Sequence, residues 1–372
     1  MKIVIAIDKF KGSATSSELS QAIGQEIKRQ CPLAQVVAVP IADGGDGTME
    51  CVKSIIGDTT RTSYVSVTAP LKQLPRVDAE YLIDNATAYM DLATASGLAL
   101  VPDDCRNVMK ASTFGTGEMI AHAISNGAKH IVLGLGGSAT CDGGMGILSA
   151  LGFRFLDKNG DVVYPCGANL VKVVSIDSSK VASKVLSTRF SLLSDVDNPL
   201  YGPSGAACVF ALQKGATLQQ VKELDDGLKH FSTLLSPHIA QMPGAGAAGG
   251  VAAGMMAFLD VTIKSGIDTL LELAHFGDII VDAHLVITGE GRIDGQTMHG
   301  KAPAGVLKAA QREGIPVIAL CGTVAPGTDT SKMGFDRVIE VSPKHIPLAQ
   351  AMDTELTLSN VKAAIRQICT HF

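Results

Sequence analysis

The chain has 372 residues, of which 46% are apolar and only 18% charged, with a formal net charge of −5. That length allows two cored domains, and that composition excludes a disordered, fibrous or coiled-coil chain. The mildly acidic balance, without runs of like charge, speaks against nucleic acid as a partner. Eight scattered cysteines without Cys-x-x-Cys spacing read as reduced thiols of a cytoplasmic protein.

Lys2–Ile7 is an apolar run of the size of a buried strand and too short for a signal peptide. Thr15 and Glu18 form a capping-box pattern ahead of Leu19, Ala22, Ile23 and Ile27, which share one helical face. Gln35–Ile41 reads as a second strand, and Gly47 opens a helix with Met49, Val52, Ile55 and Ile56 inward. Through the middle, Tyr64–Thr68, Tyr81–Asp84, His130–Gly134, Phe153–Leu156 and Phe190–Ser194 read as strands with long, proline-bearing connections. Ile239–Leu259 is uncharged but holds five glycines and Pro243, so it reads as a loop leading into a packed helix rather than a membrane span. Ala283–Thr288, Pro316–Cys321 and Arg337–Val341 then read as strands, with helices over Ala302–Glu313 and 353–369. This order predicts an α/β protein. A doubly wound parallel-sheet domain, Rossmann-like or flavodoxin-like, takes residues 1–62 and 282–372. A second α/β domain of mixed sheet, 63–281, is inserted in it, and 112–140 fits either.

The chain has 39 glycines, and many fall just after predicted strands. Such loops follow Ile7 (Asp8–Ser13), Ile41 (Asp43–Gly47), His130–Gly134 (Leu135–Gly144), Thr288 (Gly289–Gly295) and Phe190–Ser194 (Asp195–Pro199). Strand ends of a parallel sheet share one crevice, and glycine loops feeding helix N-termini present N–H groups to phosphate. No Walker A sequence is present. Gly134-x-Gly136-x-x-Ala139 matches a dinucleotide fingerprint, with Asp157 at ribose-binding spacing. Asp142 beside that loop favours a nucleotide-metal site instead, since Mg²⁺ lets a carboxylate sit by phosphates.

Several motifs occur in series along nearly the whole chain. They are Asp8-Lys9-Phe10-Lys11-Gly12, Ala42–Thr48, Gly115-Thr116-Gly117-Glu118 and Gly134–Gly144, followed by Asp195-Val196-Asp197-Asn198-Pro199-Leu200, Gln213-Lys214-Gly215-Ala216, Pro243–Gly250 and Ile287–Asp294. In these the chain resembles the bacterial glycerate kinase family of two-domain α/β type. The resemblance implies ATP-dependent, Mg²⁺-assisted phosphorylation of D-glycerate, with 2-phosphoglycerate favoured over 3-phosphoglycerate as product. Cys141 stands where the family usually has Asn.

Within that frame Asp195, Lys11 and Arg292 are the expected catalytic residues. Arg292 would clamp the substrate carboxylate or steady the moving phosphoryl group. Of Asp195 and Asp197, one would take the hydroxyl proton and the other bind Mg²⁺, with Glu290 as a second metal ligand. Gly136, Gly137, Ser138, Thr140, Asp142, Gly143 and Gly289 are expected at the nucleotide. Asp8, Ser13, Asp43, Arg292 and Asp294 are expected at the substrate. Lys214 is ambiguous, because it also precedes the capping box of Thr217 and Gln220. No membrane partner is expected, and the chain is expected to be a monomer or homodimer. The alternatives are an NAD-dependent oxidoreductase using the Gly134 fingerprint and a phosphometabolite-binding regulator. Neither needs the acidic loops around Asp195 and Glu290.

Overall fold

In a computed structural model, alternation inside the first apolar run sets the architecture: Ile3, Ile5 and Ile7 enter one core layer, and Val4 and Ala6 the other. The structure describes the chain except Asp43, Asp46, Asp58, Thr59, His299, Lys344, His345, His371 and Phe372. Its strands are β1 Lys2–Ile7, β2 Gln35–Ala38, β3 Arg61–Val67, β4 Val77–Asp84, β5 Thr87–Asp91, β6 His130–Gly134, β7 Arg154–Leu156, β8 Ser175–Asp177, β9 Arg189–Leu193, β10 Asp260–Lys264, β11 Leu285–Ile293, β12 Val317–Val324 and β13 Arg337–Glu340.

The chain divides into two compact units. The first comprises Met1–Asp43, Glu50–Ile56 and Ser265–Phe372. Its five-stranded sheet runs β13-β12-β11-β1-β2, and the pairs β1–β2, β1–β11, β11–β12 and β12–β13 are all parallel. Counted within the unit, that is the flavodoxin-like order, whose switch point lies between the first and third strands. Helices Ser16–Gln30 and Thr354–Cys369 bury Leu19, Ile23, Ile27, Val361 and Ile365 against the isoleucine face. Helices Gly266–Leu273 and Ala302–Arg312 bury Ile267, Leu271, Val306 and Ala310 on the other. Thr15 and Glu18 make the expected capping box, and Asp353 caps the last long helix through Leu356 N.

The second unit, Gly44–Met49 and Gly57–Lys264, holds a six-stranded mixed sheet, β10-β9-β6-β5-β4-β3. Strands β5, β6, β9 and β10 are parallel, while β3–β4 and β4–β5 are antiparallel. Tyr81, Phe155, Phe190 and Phe231 fill its core. A parallel sheet and a mixed sheet together are the expected fold class.

Four details differ from the sequence reading. The second strand stops at Ala38 rather than Ile41. Gly289–Ile293, read as a loop, continues β11, because Glu290, Arg292 and Ile293 pair with Cys321, Thr323 and Val324 of β12. Three strands were not foreseen: β5 turns straight back from β4, β8 pairs antiparallel with β7 in a separate two-stranded sheet, and β10 is an edge strand whose residues are all exposed or half-buried. The first unit reaches back to Ser265, since Ile267 and Leu271 belong to its core, and 112–140 lies in the second unit. No helix among the described residues is long and apolar enough to cross a membrane.

Ile5→Ala should lower unfolding stability by about 2–5 kcal/mol, the cost of a cavity in a close-packed core. Leu33→Ala, at a side chain 98% exposed, should change it little. Denaturant titration of both variants checks the contrast.

Candidate functional site

In the first unit the chain leaves β1 for a helix on one face of the sheet and leaves β11 for a helix on the other. The two strand ends therefore part, and a cavity of about 490 Å³ opens between them. Asp8–Ser13 forms one wall. Asp8 N donates to Gly289 O at 3.0 Å, and a tight turn closes with Ser13 N and Ala14 N both donating to Phe10 O, at 2.8 and 3.0 Å. Ser13 Oγ lies 2.5 Å from Thr357 Oγ1, and Thr354 Oγ1 donates to Ser13 O, so the last long helix pins this loop. Glu290, Arg292 and Asp294 at the end of β11 form the opposite wall, with Lys301 beside them.

Glu290 is buried, which pushes its carboxyl up from the usual value of 4.5, while Thr297 and Lys301 oppose the rise. Thr297 Oγ1 donates to Glu290 Oε1 at 2.6 Å and accepts from Asp294 N at 3.0 Å. Lys301 Nζ sits 3.2 Å from Glu290 Oε2 and 3.6 Å from Asp294 Oδ1. With those carboxylates engaged, Lys11 and Arg292 stand exposed and form no ion pair with a described residue. Four cationic side chains (Lys9, Lys11, Arg292, Lys301) face three carboxylates (Asp8, Glu290, Asp294), an excess of positive charge suited to a small anion. Thr297 and Lys301 escaped the sequence reading. Their only signal was Lys301 just before a helix with proline in its first turn.

In the second unit, residues 135–144 run from β6 to the helix Met145–Ala150. Gly136 and Gly137 reach solvent, and Ser138 sits just below them. Lys214, 5% exposed, comes up beneath and donates to Ser138 Oγ and Thr140 O, both at 2.8 Å. Thr140, Asp142 and Gly143 are inside the protein. Asp142 accepts from Thr113 N at 2.8 Å, Thr113 Oγ1 at 2.9 Å, Gly144 N at 3.1 Å and Gly146 N at 3.2 Å. Burial raises its carboxyl against these four bonds. It braces the loop, and its oxygens face protein donors rather than solvent. A Cβ on Gly143 would come 3.0 Å from the Phe231 ring, so this glycine serves packing.

The remaining expected residues are placed as follows. Gly289 is buried within β11 and offers only its carbonyl, to Asp8 N. Asp195 is half-buried and Asp197 exposed, on the turn after β9 in the second unit. Asp43 lies outside the described residues. Glu290, expected as a metal ligand, has both oxygens engaged by Thr297 and Lys301. Among the described residues no group of three or more His, Cys, Asp or Glu side chains could hold a metal. Asp157 accepts from Asn159 N and Asp161 N at 2.9 and 3.0 Å, so the acid of the dinucleotide alternative is spent on a turn.

Residues 3–372 match the model of the glycerate kinase family. The chain is 42% identical to a glycerate kinase of Bacillus cereus, over 98% of this chain and 97% of that one. It is 40% identical to the glycerate 2-kinase of Escherichia coli, over 92% and 90%. A crystal structure of a Salmonella typhimurium LT2 protein assigned as glycerate kinase 2 superposes with a TM-score of 0.83. That match has 38% identity and covers 100% of this chain and 98% of the other.

Lys301→Met removes a cation that opposes the upward shift of Glu290, so the folded-state pKa of Glu290 should rise further. A carboxyl raised on folding binds more protons folded than unfolded, and stability then falls as pH increases through that window. The stability deficit of Lys301→Met should therefore be smallest below about pH 4.5 and widen towards pH 7. Thermal midpoints of variant and parent across that range test this, and a constant difference would refute it.

Proposed function

The chain belongs to the glycerate kinase family, and on that premise we propose that it moves the terminal phosphoryl group of ATP to a hydroxyl of D-glycerate. The cationic pocket at the switch point between β1 and β11 carries the reading. Glycerate is a small anion, and its carboxylate needs a donor of fixed geometry. Arg292 meets that need, because a guanidinium binds a carboxylate through two parallel hydrogen bonds. Lys11 supplies a second, compact charge on the facing wall. Gly136 and Gly137, with the buried Ser138 next to them, are proposed to take the phosphates of ATP through backbone N–H groups and the serine hydroxyl.

In the reaction a glycerate oxygen bonds to the γ-phosphorus as the bond from phosphorus to the bridging oxygen of ADP breaks. The hydroxyl proton passes to a carboxylate, and ADP leaves with the electron pair. Phosphoryl transfer demands positioning and charge neutralisation more than covalent chemistry from the protein. Mg²⁺ enters as part of the MgATP substrate, since Glu290 is committed to Thr297 and Lys301. Asp195 is the proposed proton acceptor. We favour the 2-hydroxyl as acceptor, with support from the name of the Escherichia coli relative, glycerate 2-kinase.

A coupled assay should show ADP release only when D-glycerate, ATP and Mg²⁺ are all present, with 2-phosphoglycerate identified by phosphorus NMR. ADP release independent of glycerate, or none, refutes the proposal. Arg292→Met should raise KM for D-glycerate roughly tenfold or more, the worth of a charge-assisted hydrogen bond, with a smaller effect on KM for ATP. Asp195→Asn should lower kcat roughly 10²-fold with the circular dichroism spectrum unchanged, and a variant keeping over half the activity removes Asp195 from this role.

A further inference from the structure

We propose that Lys214 is a positioning residue for the nucleotide: its ammonium, sealed beneath the 135–144 loop, is the internal counter-charge to the phosphate bound on that loop's outer side. The proposal rests on the reading that this loop takes the phosphates of ATP.

Lys214 ends the short helix Leu212–Lys214. The bend that aims it inward needs glycine next. Gly215 has φ +91°, and a Cβ there would lie 2.7 Å from Arg106 Cβ. The ammonium is buried and gives hydrogen bonds to Ser138 Oγ and Thr140 O. No carboxylate of a described residue stands within ion-pair distance of it. The acid nearest in influence, Asp142, already takes four hydrogen bonds from Thr113, Gly144 and Gly146. An ammonium buried without a counter-ion is costly, and the usual relief is loss of its proton. Burial accordingly pushes Lys214 down to about 8.

A bound anion offers the other relief. Gly136 is half-buried and Gly137 exposed, just ahead of Ser138 in the chain, so phosphate on their N–H groups would lie next to the residue that Lys214 holds. Ser138 Oγ accepts from Lys214, which leaves its own O–H as a donor to that phosphate. The lysine thus sets both the charge under the loop and the direction of the serine hydroxyl. The titratable groups facing it are Cys141 and Asp142, with Cys208 and Asp225 around Cys141. Burial pushes the Cys141 thiol up to about 12 and raises Cys208, so these thiols stay neutral where Lys214 titrates.

Lys214→Met keeps the length and removes the charge. Its KM for ATP should rise roughly tenfold or more, with KM for D-glycerate unchanged and Lys214→Arg partly restoring ATP affinity. Its thermal midpoint should hold or increase, because replacing an unpaired buried ion with an apolar side chain relieves a desolvation cost. The wild-type protein gives a measurement that needs no variant. At pH 8.5 free Lys214 is largely neutral, so ADP binding should take up about half a proton or more, read by calorimetry in buffers of different ionisation enthalpy. Gly137→Val, which puts a branched side chain at φ +72° on the loop surface, separates the two hypotheses. If it raises KM for ATP while Lys214→Met leaves KM within twofold, the role of Lys214 is overturned and the loop reading stands. If neither variant moves KM for ATP, the loop reading itself fails. A raised KM with a lowered midpoint and no proton uptake marks a structural lysine and also overturns the proposal.

Discussion

The parallel pairing of β1 with β11, from Ile3 with Leu285 to Ile7 with Gly289, is the contact on which the first unit depends. It joins strands from opposite ends of the chain. Closure entropy grows only with the logarithm of loop length, so a separation this long is affordable once the core rewards it. The reward is visible in the residues. Ile3, Ile5 and Ile7 face helices Ser16–Gln30 and Thr354–Cys369, and Val4 and Ala6 face the other pair. The same pairing sets Asp8–Ser13 beside Glu290–Asp294, and divergence of the two following helices leaves the cavity between them.

Both units handle buried charge at strand ends, and they do so differently. In the first, Glu290 is desolvated, and Thr297 and Lys301 oppose the resulting upward shift of its carboxyl. The pocket then presents its unpaired cations, Lys11 and Arg292, to solvent. In the second, Asp142 is matched by four hydrogen bonds, whereas Lys214 is left with a hydroxyl and a carbonyl. The asymmetry has a physical reading. Groups whose charge is balanced internally brace the loops around them, whereas Lys11, Arg292 and Lys214 have no carboxylate of a described residue to balance theirs.

Much of this was legible in the chain. Continuous apolar runs placed β1 and β6, and a capping box placed the helix after Thr15, because burial on both faces and a first-turn donor both leave marks in the residue order. The Gly-Glu-Gly-Arg stretch was misread as a loop. Glycine is compatible with either state, and only the β12 register shows it as strand. Strands β5, β8 and β10 carry no long continuous apolar run to announce them.

The order of the motifs determined the family and the α/β class, and the sequence singled out Lys11 and Arg292, which the fold brings to the walls of one cavity. What the sequence could not decide is which of its many carboxylates and lysines are spent inside the protein. Asp142 and Gly143 read like ligand residues, yet packing against Thr113 and Phe231 turns them inward. Thr297 and Lys301 read like nothing in particular, yet the turn after β11 folds them back onto Glu290. Lys214 lies more than seventy residues from Ser138 and meets it only in the folded unit. Burial and hydrogen-bond partnership are properties of the neighbours in space, and a linear chain does not contain them until it has folded.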